Sequence, residues 1–550
     1  MRGIHKRKRR KWIKVTAVPA ALIAVAAAVF LSPGQMKALG SDEGSTNLTT
    51  IQIVHTNDIH GRSGYAEGSV VGFDRLASFI SQIQADLVLD AGDTFHGQAF
   101  ATLEQGEGIA QLMKAVGYDA MTPGNHDWNY GKDRVAQLAD LSDTKILAAN
   151  VLEDGTPFFG NDGTLIKDVN GVKVGVLGVF DPDIRESTAP RNVEGLMIAD
   201  DAKTASSLSG SLREQGCDVV IALSHQLDCE NFIKRSHGID VLIAGHEHMV
   251  EDKSYPDADG RLVKVVETGA YFEHAGLLTI SYDQMADEIT DIQETLLSTE
   301  TAGGLTPAER VSDILTSIHE RQKIQLGKTV GMTGLELDGT WETLRIKETG
   351  MGRLVTAAYL QETGADVAFE NAGGIRLGKI LPSGKITFQD IIDTAPYGNY
   401  IVTKQITGEA LLSILEHSIE IGLQNQVAYD EWLKTGSDQV RWPNDNGNYL
   451  QFGGLNVFYD PQRLQGNRIT EVLVNGEPLN KTKLYTVATN NYISLGKTYP
   501  ELADAPELNQ YGSCDEALQR FIEQGQEKVD TAAGKAGLRE ISGLELPDAA

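Results

Sequence analysis

Five short stretches of this 550-residue chain carry the residue types that hold divalent metals. They are TNDIHG (56–61), AGDTF (91–95), PGNHDWNYG (123–131), SH (224–225) and GHEH (245–248). Together they supply Asp58, His60, Asp93, Asn125, His225, His246 and His248. These are more oxygen and nitrogen donors than one tetrahedral zinc takes, and they suit two ions sharing a bridging carboxylate. Taken singly each stretch is ordinary: Asp-x-His is common, Gly-Asp is a turn, and Asn after Gly tolerates left-handed backbone. Joined in this order, each close behind an apolar run, they read as one metal centre. Two adjacent ions lower the pKa of a bound water and offset charge on the group it attacks. His126, beside Asn125, is placed to donate a proton or a hydrogen bond to that group.

Such donors meet only if the fold brings them together. From about residue 48 to 282 the pattern is strand, loop, helix, repeated. The strands are predicted at IQIVHT (51–56), ADLVLDAG (85–92), YDAMT (118–122), KVGVLGVF (173–180), CDVVIALS (217–224) and DVLIAG (240–245). Helical period falls at FDRLASFISQI (73–83) and DDAKTASSLSGSLREQ (200–215), and KVVETG (264–269) with LLTISYD (277–283) reads as a strand pair closing the sheet. The alternation predicts an α/β layered sandwich. In open α/β sheets the loops beyond the carboxyl ends of the strands converge on one crevice, which is where the donors fall. A connecting helix is expected over 303–325, with Thr306 as N-cap, Pro307 at its first position and Glu309 completing a capping box. A second, α+β region follows, with helical segments near 348–362, 407–421 and 515–526. The expected partition is 1–40, 48–300, 301–326 and 327–546.

Composition narrows the class. The net charge is −28, and the eight basic residues between Arg2 and Lys14 mask a body nearer about −36. A surface that acidic repels polyanions and argues against a nucleic-acid duplex as partner, though a small nucleotide held by metals is compatible with it. The basic stretch KRKRRKWIK (6–14) precedes an apolar run from Val15 to Leu31 and small residues near Ala38 and Gly40, the pattern of an export signal. An uncleaved N-terminal anchor is the alternative, and either places the body outside the cytoplasm. Cys217, Cys229 and Cys514 are too few for a disulfide framework and read as buried thiols.

The set D-x-H, G-D, G-N-H-[DE], H and G-H-x-H resembles the calcineurin-like metallophosphoesterase superfamily. TNDIHG with GNHDWNYG is similar to its 5′-nucleotidase and cyclic-nucleotide phosphodiesterase branch. The resemblance implies an α/β/β/α metallophosphoesterase sandwich followed by a nucleotide-binding domain. It implies one metal held by Asp58, His60 and His248, a second by Asn125, His225 and His246, and Asp93 bridging them. The donor set accepts Mn, Zn, Co or Fe. His126 takes the transition-state role by resemblance. Relatives pair that histidine with an Asp three residues on, whereas this chain has Asn129, a residue that cyclic-nucleotide relatives often show. An amide orients the ring without stabilising its charge to the same degree.

In the second region ETGMGRL (348–354), ENAGGIR (370–376), TAPYGN (394–399), GNYLQFGGLNVFYD (447–460) and YTVATNNY (485–492) carry the resemblance. It assigns Arg345 and Arg376 to the charged end of a nucleotide, Asn399 to its base, and Tyr397 and Tyr492 to the two aromatic plates around that base. Stacking of this kind holds any nucleobase. Two departures bear on the substrate. Trp341 stands where many relatives have a further Arg, and LGKTYP (495–500) replaces a loop whose Asp holds the ribose hydroxyls, with Lys497 nearby. The reading is an exported two-metal enzyme hydrolysing nucleotide phosphate esters, as a 5′-nucleotidase. The rivals are a 2′,3′-cyclic nucleotide phosphodiesterase with 3′-nucleotidase activity, a UDP-sugar hydrolase, and a catalytically silent surface nucleotide-binding protein.

Overall fold

The computed structural model describes residues 48–541 apart from 183–187, 189, 436–439 and 445. The segment read as an export signal or anchor (1–40) lies outside the described residues. Among the described residues no helix is long and apolar enough to cross a membrane.

Four parallel strands come first among the described residues: β1 (Leu48–Thr56), β2 (Leu87–Asp90), β3 (Ala120–Met121) and β4 (Lys145–Ile146). Their carboxyl ends are level, with Thr56 opposite Asp90 and Asp90 opposite Met121. The loops that follow therefore leave the sheet at one edge. A second sheet is built from β5 (Thr164–Val169), β6 (Val172–Phe180), β7 (Val219–His225), β8 (Val241–Gly245), β9 (Val250–Pro256) and β10 (Leu262–Thr268), in the order β9-β10-β8-β7-β6-β5. Its inner strands are parallel and also end together, His225 lying opposite both Phe180 and Gly245. β11 (His274–Asp283) and β12 (Glu288–Ser298) return to the first sheet, whose order is β12-β11-β1-β2-β3-β4.

Alternation along each strand feeds two cores. Ile53, Leu89, Val176, Ile221 and Ile243 pack together between the two sheets. On the outer face of the first, Val54, Val88 and Met121 meet α1 (Phe73–Ile83) and α2 (Glu107–Val116). On the outer face of the second, Leu177, Val220 and Leu242 meet α3 (Asp201–Glu214) and α4 (Cys229–Arg235). Strands buried on both faces read as continuous apolar runs, as these do. The result is the α/β/β/α layering expected.

Two local expectations are corrected. KVVETG and LLTISYD do not pair: the first runs in β10 of the second sheet and the second in β11 of the first. Both are flanked instead by antiparallel partners the alternation did not single out, β9 and β12. The connecting helix α5 (Glu309–Leu326) begins later than expected, with Ala308 at its N-cap position and no side-chain cap. Thr306 cannot cap it because the main chain there is tied to α1: its carbonyl accepts from Ser78, and the Ala308 N–H donates to the Asp74 carbonyl.

The second region is organised on a mixed sheet of β13 (Val367–Asn371), β14 (Tyr400–Thr407), β15 (Leu450–Gly453), β16 (Leu484–Asn490) and β17 (Glu507–Ser513), in the order β15-β13-β16-β14-β17. Helices α6 (Gly350–Thr363), α7 (Gly408–Thr435) and α8 (Cys514–Ile522) pack on it through a single apolar core. All three cysteines are buried free thiols.

Candidate metal centre

The seven proposed donors come together. Asp58 and His60 follow β1, Asp93 follows β2, Asn125 follows β3, His225 ends β7, and His246 and His248 follow β8. Their donor atoms fall into two groups, Asp58 with His60 and His248, and Asp93 with His225 and His246. Asn125 joins the second, its Oδ1 lying 3.1 Å from His246 Nδ1. Asp58, Asp93, Asn125 and His225 are fully buried, or nearly so.

Each carboxylate spends one oxygen on the protein and turns the other inward. Asp58 Oδ2 accepts from Asn57 Nδ2 at 2.7 Å and from the His246 N–H at 3.0 Å. Its Oδ1 has no hydrogen-bond partner among the described residues and faces His248, His60 and His225 at 3.4, 3.8 and 3.9 Å. Asp93 Oδ1 accepts the His126 N–H at 2.7 Å, while Oδ2 stands 3.3 Å from His225 Nε2 and 3.9 Å from His60 Nε2. It thus faces one imidazole of each group. His225 uses Nδ1 on the Ala91 carbonyl at 2.8 Å, which leaves Nε2 facing Asp93 and the pocket. A carbonyl behind an imidazole is how ligating histidines are usually aimed.

The charges of these groups are tightly coupled. Burial alone would raise the Asp93 carboxyl, yet the surrounding imidazoles, His225 first, hold it well below the usual range. Burial would depress His225, but Asp93 and Asp58 push it up to about 10. Burial depresses His60 to about 3 and His246 to about 4. Two buried carboxylates facing the ring nitrogens of four histidines, with His60 Nε2 only 3.1 Å from His248 Nε2, are a donor set that divalent cations fit. The residues fit divalent metal.

The loops are bent to achieve this. Asp58, His60, Asp93, His246 and His248 all take positive φ, between 48° and 96°. Left-handed backbone costs a non-glycine residue about 1–2 kcal/mol. Main-chain bonds between loops impose it: Asp58 N–H to the Gly92 carbonyl, and His60 N–H to the Asp93 carbonyl, each at 2.8 Å. Asp127, the residue after His126, accepts from four main-chain N–H groups, of Asp93, Thr94, Phe95 and Gly124, and so staples the second loop to the third. Gly124 admits nothing larger, since a Cβ there would sit 2.2 Å from Asp93 Oδ1.

His126 is buried beside the donors, and Asn129 Nδ2 lies 2.9 Å from its Nδ1. Sequence reasoning missed four neighbours. His96, one residue beyond AGDTF, is also in reach of Asn129. Tyr400, at the start of β14, sets its ring 4.3 Å from that of His126. Gln510 Oε1 accepts from Asn125 Nδ2 at 3.0 Å, which turns the Asn125 oxygen toward His246. Glu516 bonds His96. The last three belong to the second region, so that region closes over the centre. Only His96, a histidine left over inside a ligand loop, carried a local signal.

The proposed substrate residues are placed otherwise. Arg345 donates to Asn446 Oδ1 at 2.6 Å and lies over the Trp442 ring. Arg376 stacks on Trp341 at 4.4 Å, so the tryptophan that replaces an expected arginine supplies an aromatic face to a neighbouring one. Tyr397 and Tyr492 are 47% and 45% exposed. Asn399 and Tyr397 line a cavity of about 10 Å³, room for one water, with Glu370 and Cys514. The Tyr397 carbonyl accepts from Gln98 of a first-region loop at 2.9 Å.

The chain is similar to known proteins. The family described as calcineurin-like phosphoesterase matches residues 51–250, and the 5′-nucleotidase C-terminal domain matches residues 326–503. A 5′-nucleotidase of Vibrio cholerae is 24% identical over 529 residues, covering 86% of this chain and 90% of its own. A trifunctional nucleotide phosphoesterase of Bacillus subtilis is 25% identical over 83% of this chain, which spans only 32% of that longer protein. The structure of an NAD nucleotidase from Haemophilus influenzae shares the fold, with a TM-score of 0.70 at 20% identity over 90% of this chain and all of that one.

Proposed function

We propose, from the premise that this chain belongs to the calcineurin-like phosphoesterases carrying a 5′-nucleotidase C-terminal domain, that it uses two divalent ions to release phosphate from nucleotides. Membership makes it a metal-dependent phosphoester hydrolase. The observation that carries the two-ion reading is the pair of buried carboxylates, each tied by one oxygen and turning the other toward the imidazoles, with the donor atoms falling into two groups. Divalent ions bound there would orient the phosphoryl group, offset the charge on its oxygens and make water a better nucleophile.

The chain's own residues do the positioning. Asp93 faces both histidine groups and is the candidate bridge. Gln510 turns Asn125, and the Ala91 carbonyl turns His225. His126, its main chain fixed on Asp93 and its ring on Asn129, donates to a phosphate oxygen or to the departing alkoxide. Arg345 and Arg376 take the charged end of the nucleotide, Tyr397 and Tyr492 stack its base, and Asn399 bonds the base edge. We retain the partition into 48–300, a connecting helix within 301–326, and 327–546. The basic and apolar N-terminal segment supports export, so that the reaction runs outside the cytoplasm.

One observation favours a second reading, a 2′,3′-cyclic phosphodiesterase with 3′-nucleotidase activity: the partner of His126 is the neutral amide of Asn129. Phosphate release from AMP, 3′-AMP, UDP-glucose and a 2′,3′-cyclic nucleotide decides between them, measured with manganese or zinc and with phosphatase added for the cyclic substrate. AMP should be turned over fastest. Preference for the cyclic or 3′ ester moves the assignment to the second reading, and silence on all four from protein holding two ions overturns both.

A further inference from the structure

His96 and His126 lie parallel, with ring centroids 5.8 Å apart and planes within 11°. One group joins them. Asn129 Nδ2 is 2.9 Å from His126 Nδ1 and 3.2 Å from His96 Nδ1. An amide nitrogen has two hydrogens to give and accepts none, so both Nδ1 atoms act as acceptors and both rings carry their proton on Nε2. That tautomer suits the next contact, because His96 Nε2 stands 2.8 Å from Glu516 Oε2 and can donate to it. It also leaves His126 with an Nε2–H on the side of its ring away from Asn129, the donor its proposed role requires.

Glu516 has an ordinary reason to be where it is. It is the capping-box residue of α8, its side chain accepting from the Ser513 N–H. Capping accounts for a Glu or Gln at this position. It does not account for the second use of the same oxygen on a histidine of the other region, 420 residues away in sequence, with the two side chains only 1% and 11% exposed. We propose that Glu516 is a positioning residue for His126, acting across the interface through His96 and Asn129. The carboxylate holds the His96 proton on Nε2, His96 then offers Nδ1 to Asn129, and the shared amide fixes the orientation and tautomer of His126. The chain is complete only while the second region is seated on the first, so the readiness of His126 is tied to that contact.

The inference rests on the reading of His126 as the donating group, and its test separates the two. In the full-length protein Glu516→Gln keeps the capping box and removes the charge, and Glu516→Ala removes both. With manganese bound, and with the best of the four nucleotide esters, Glu516→Gln should lower kcat about tenfold while KM and metal stoichiometry stay as in the parent. Made on top of Asn129→Ala, the same substitution should add nothing, because the link it acts through is already gone. Nitrogen-15 spectra of the histidines in metal-free protein should show His126 as the Nε2–H tautomer in the parent and as a mixture in both Glu516 variants. An equal loss with and without Asn129 would mean that Glu516 acts only by holding the regions together. An unchanged His126 tautomer would likewise overturn the proposal. Protein that shows the tautomer shift yet hydrolyses no ester would instead sink the phosphoesterase reading and leave the positioning intact.

Discussion

The two halves of the proposed active centre are built on opposite terms. In the first region every donor sits at or just past the carboxyl end of a strand, the strand ends are level, and the side chains are locked by main-chain bonds between loops. In the second, Arg345, Arg376, Tyr397, Asn399 and Tyr492 come from helices and connecting loops, and the two tyrosines stand half in solvent. The arginines are already engaged, on Asn446 and on tryptophan faces. The contrast follows from what each half must do. Divalent ions tolerate little displacement of their ligands, and side chains locked by main-chain bonds between loops suit that demand. A nucleotide has to enter and leave, so the surface that receives it keeps open faces and arginines placed on a neutral amide and on aromatic rings.

If that division is right, the cage is the place where single changes do most damage. Asp93→Ala should lower kcat by about a thousandfold or more and reduce the bound metal measured by elemental analysis to one equivalent or fewer. Retention of both ions would break the comparison at its strongest point.

The second region has one rigid feature of its own, and it gives the next effect. Glu370 is buried behind the Tyr397 and Asn399 cavity, and burial pushes its carboxyl up to about 7 despite hydrogen bonds from Tyr359 and Asn490. A carboxyl raised in the folded state favours folding below its unfolded value, and that contribution is lost as the pH climbs from 4.5 through about 7. Glu370→Gln escapes the loss. Its melting temperature relative to the parent should therefore rise between pH 4.5 and pH 8, by the equivalent of about 3 kcal/mol at most. A difference that stays flat would show that Glu370 is not desolvated as described.

Two smaller effects sharpen the contrast. Arg376→Ala should leave metal content untouched and raise KM about 30-fold through loss of a charged hydrogen-bonding group, about 2 kcal/mol. Trp341→Ala removes only the ring beneath that arginine, worth about 0.5–1 kcal/mol, and should change KM a few-fold. If the tryptophan proves to matter more than the arginine, Trp341 contacts the substrate itself.

The same division decides what could be read from sequence. A ligand close behind an apolar run is a local pattern, and parallel strands with level ends convert it into proximity, so Asp58, Asp93 and His225 were legible. His96 was within reach of the same reasoning, one residue past the motif in which Asp93 stands. Tyr400, Gln510 and Glu516 were not, because each acts through a contact between residues hundreds of positions apart, and nothing near them in sequence distinguishes them from ordinary sheet and capping residues. The helix start at Glu309 was missed for a related reason: a good cap sequence at Thr306 is overridden by bonds from a distant helix.

The left-handed backbone at Asp58, His60, Asp93, His246 and His248 also makes a forecast about decay. A lineage released from the need to bind metal would feel that strain least offset at His60 and His248, since the Asp58 and Asp93 carboxylates also accept from buried N–H groups, and glycine relieves it at about 1 kcal/mol each. Loss of activity in such a lineage should begin as a gain in heat resistance, with glycine spreading first through the very sites where the living enzyme can least accept it.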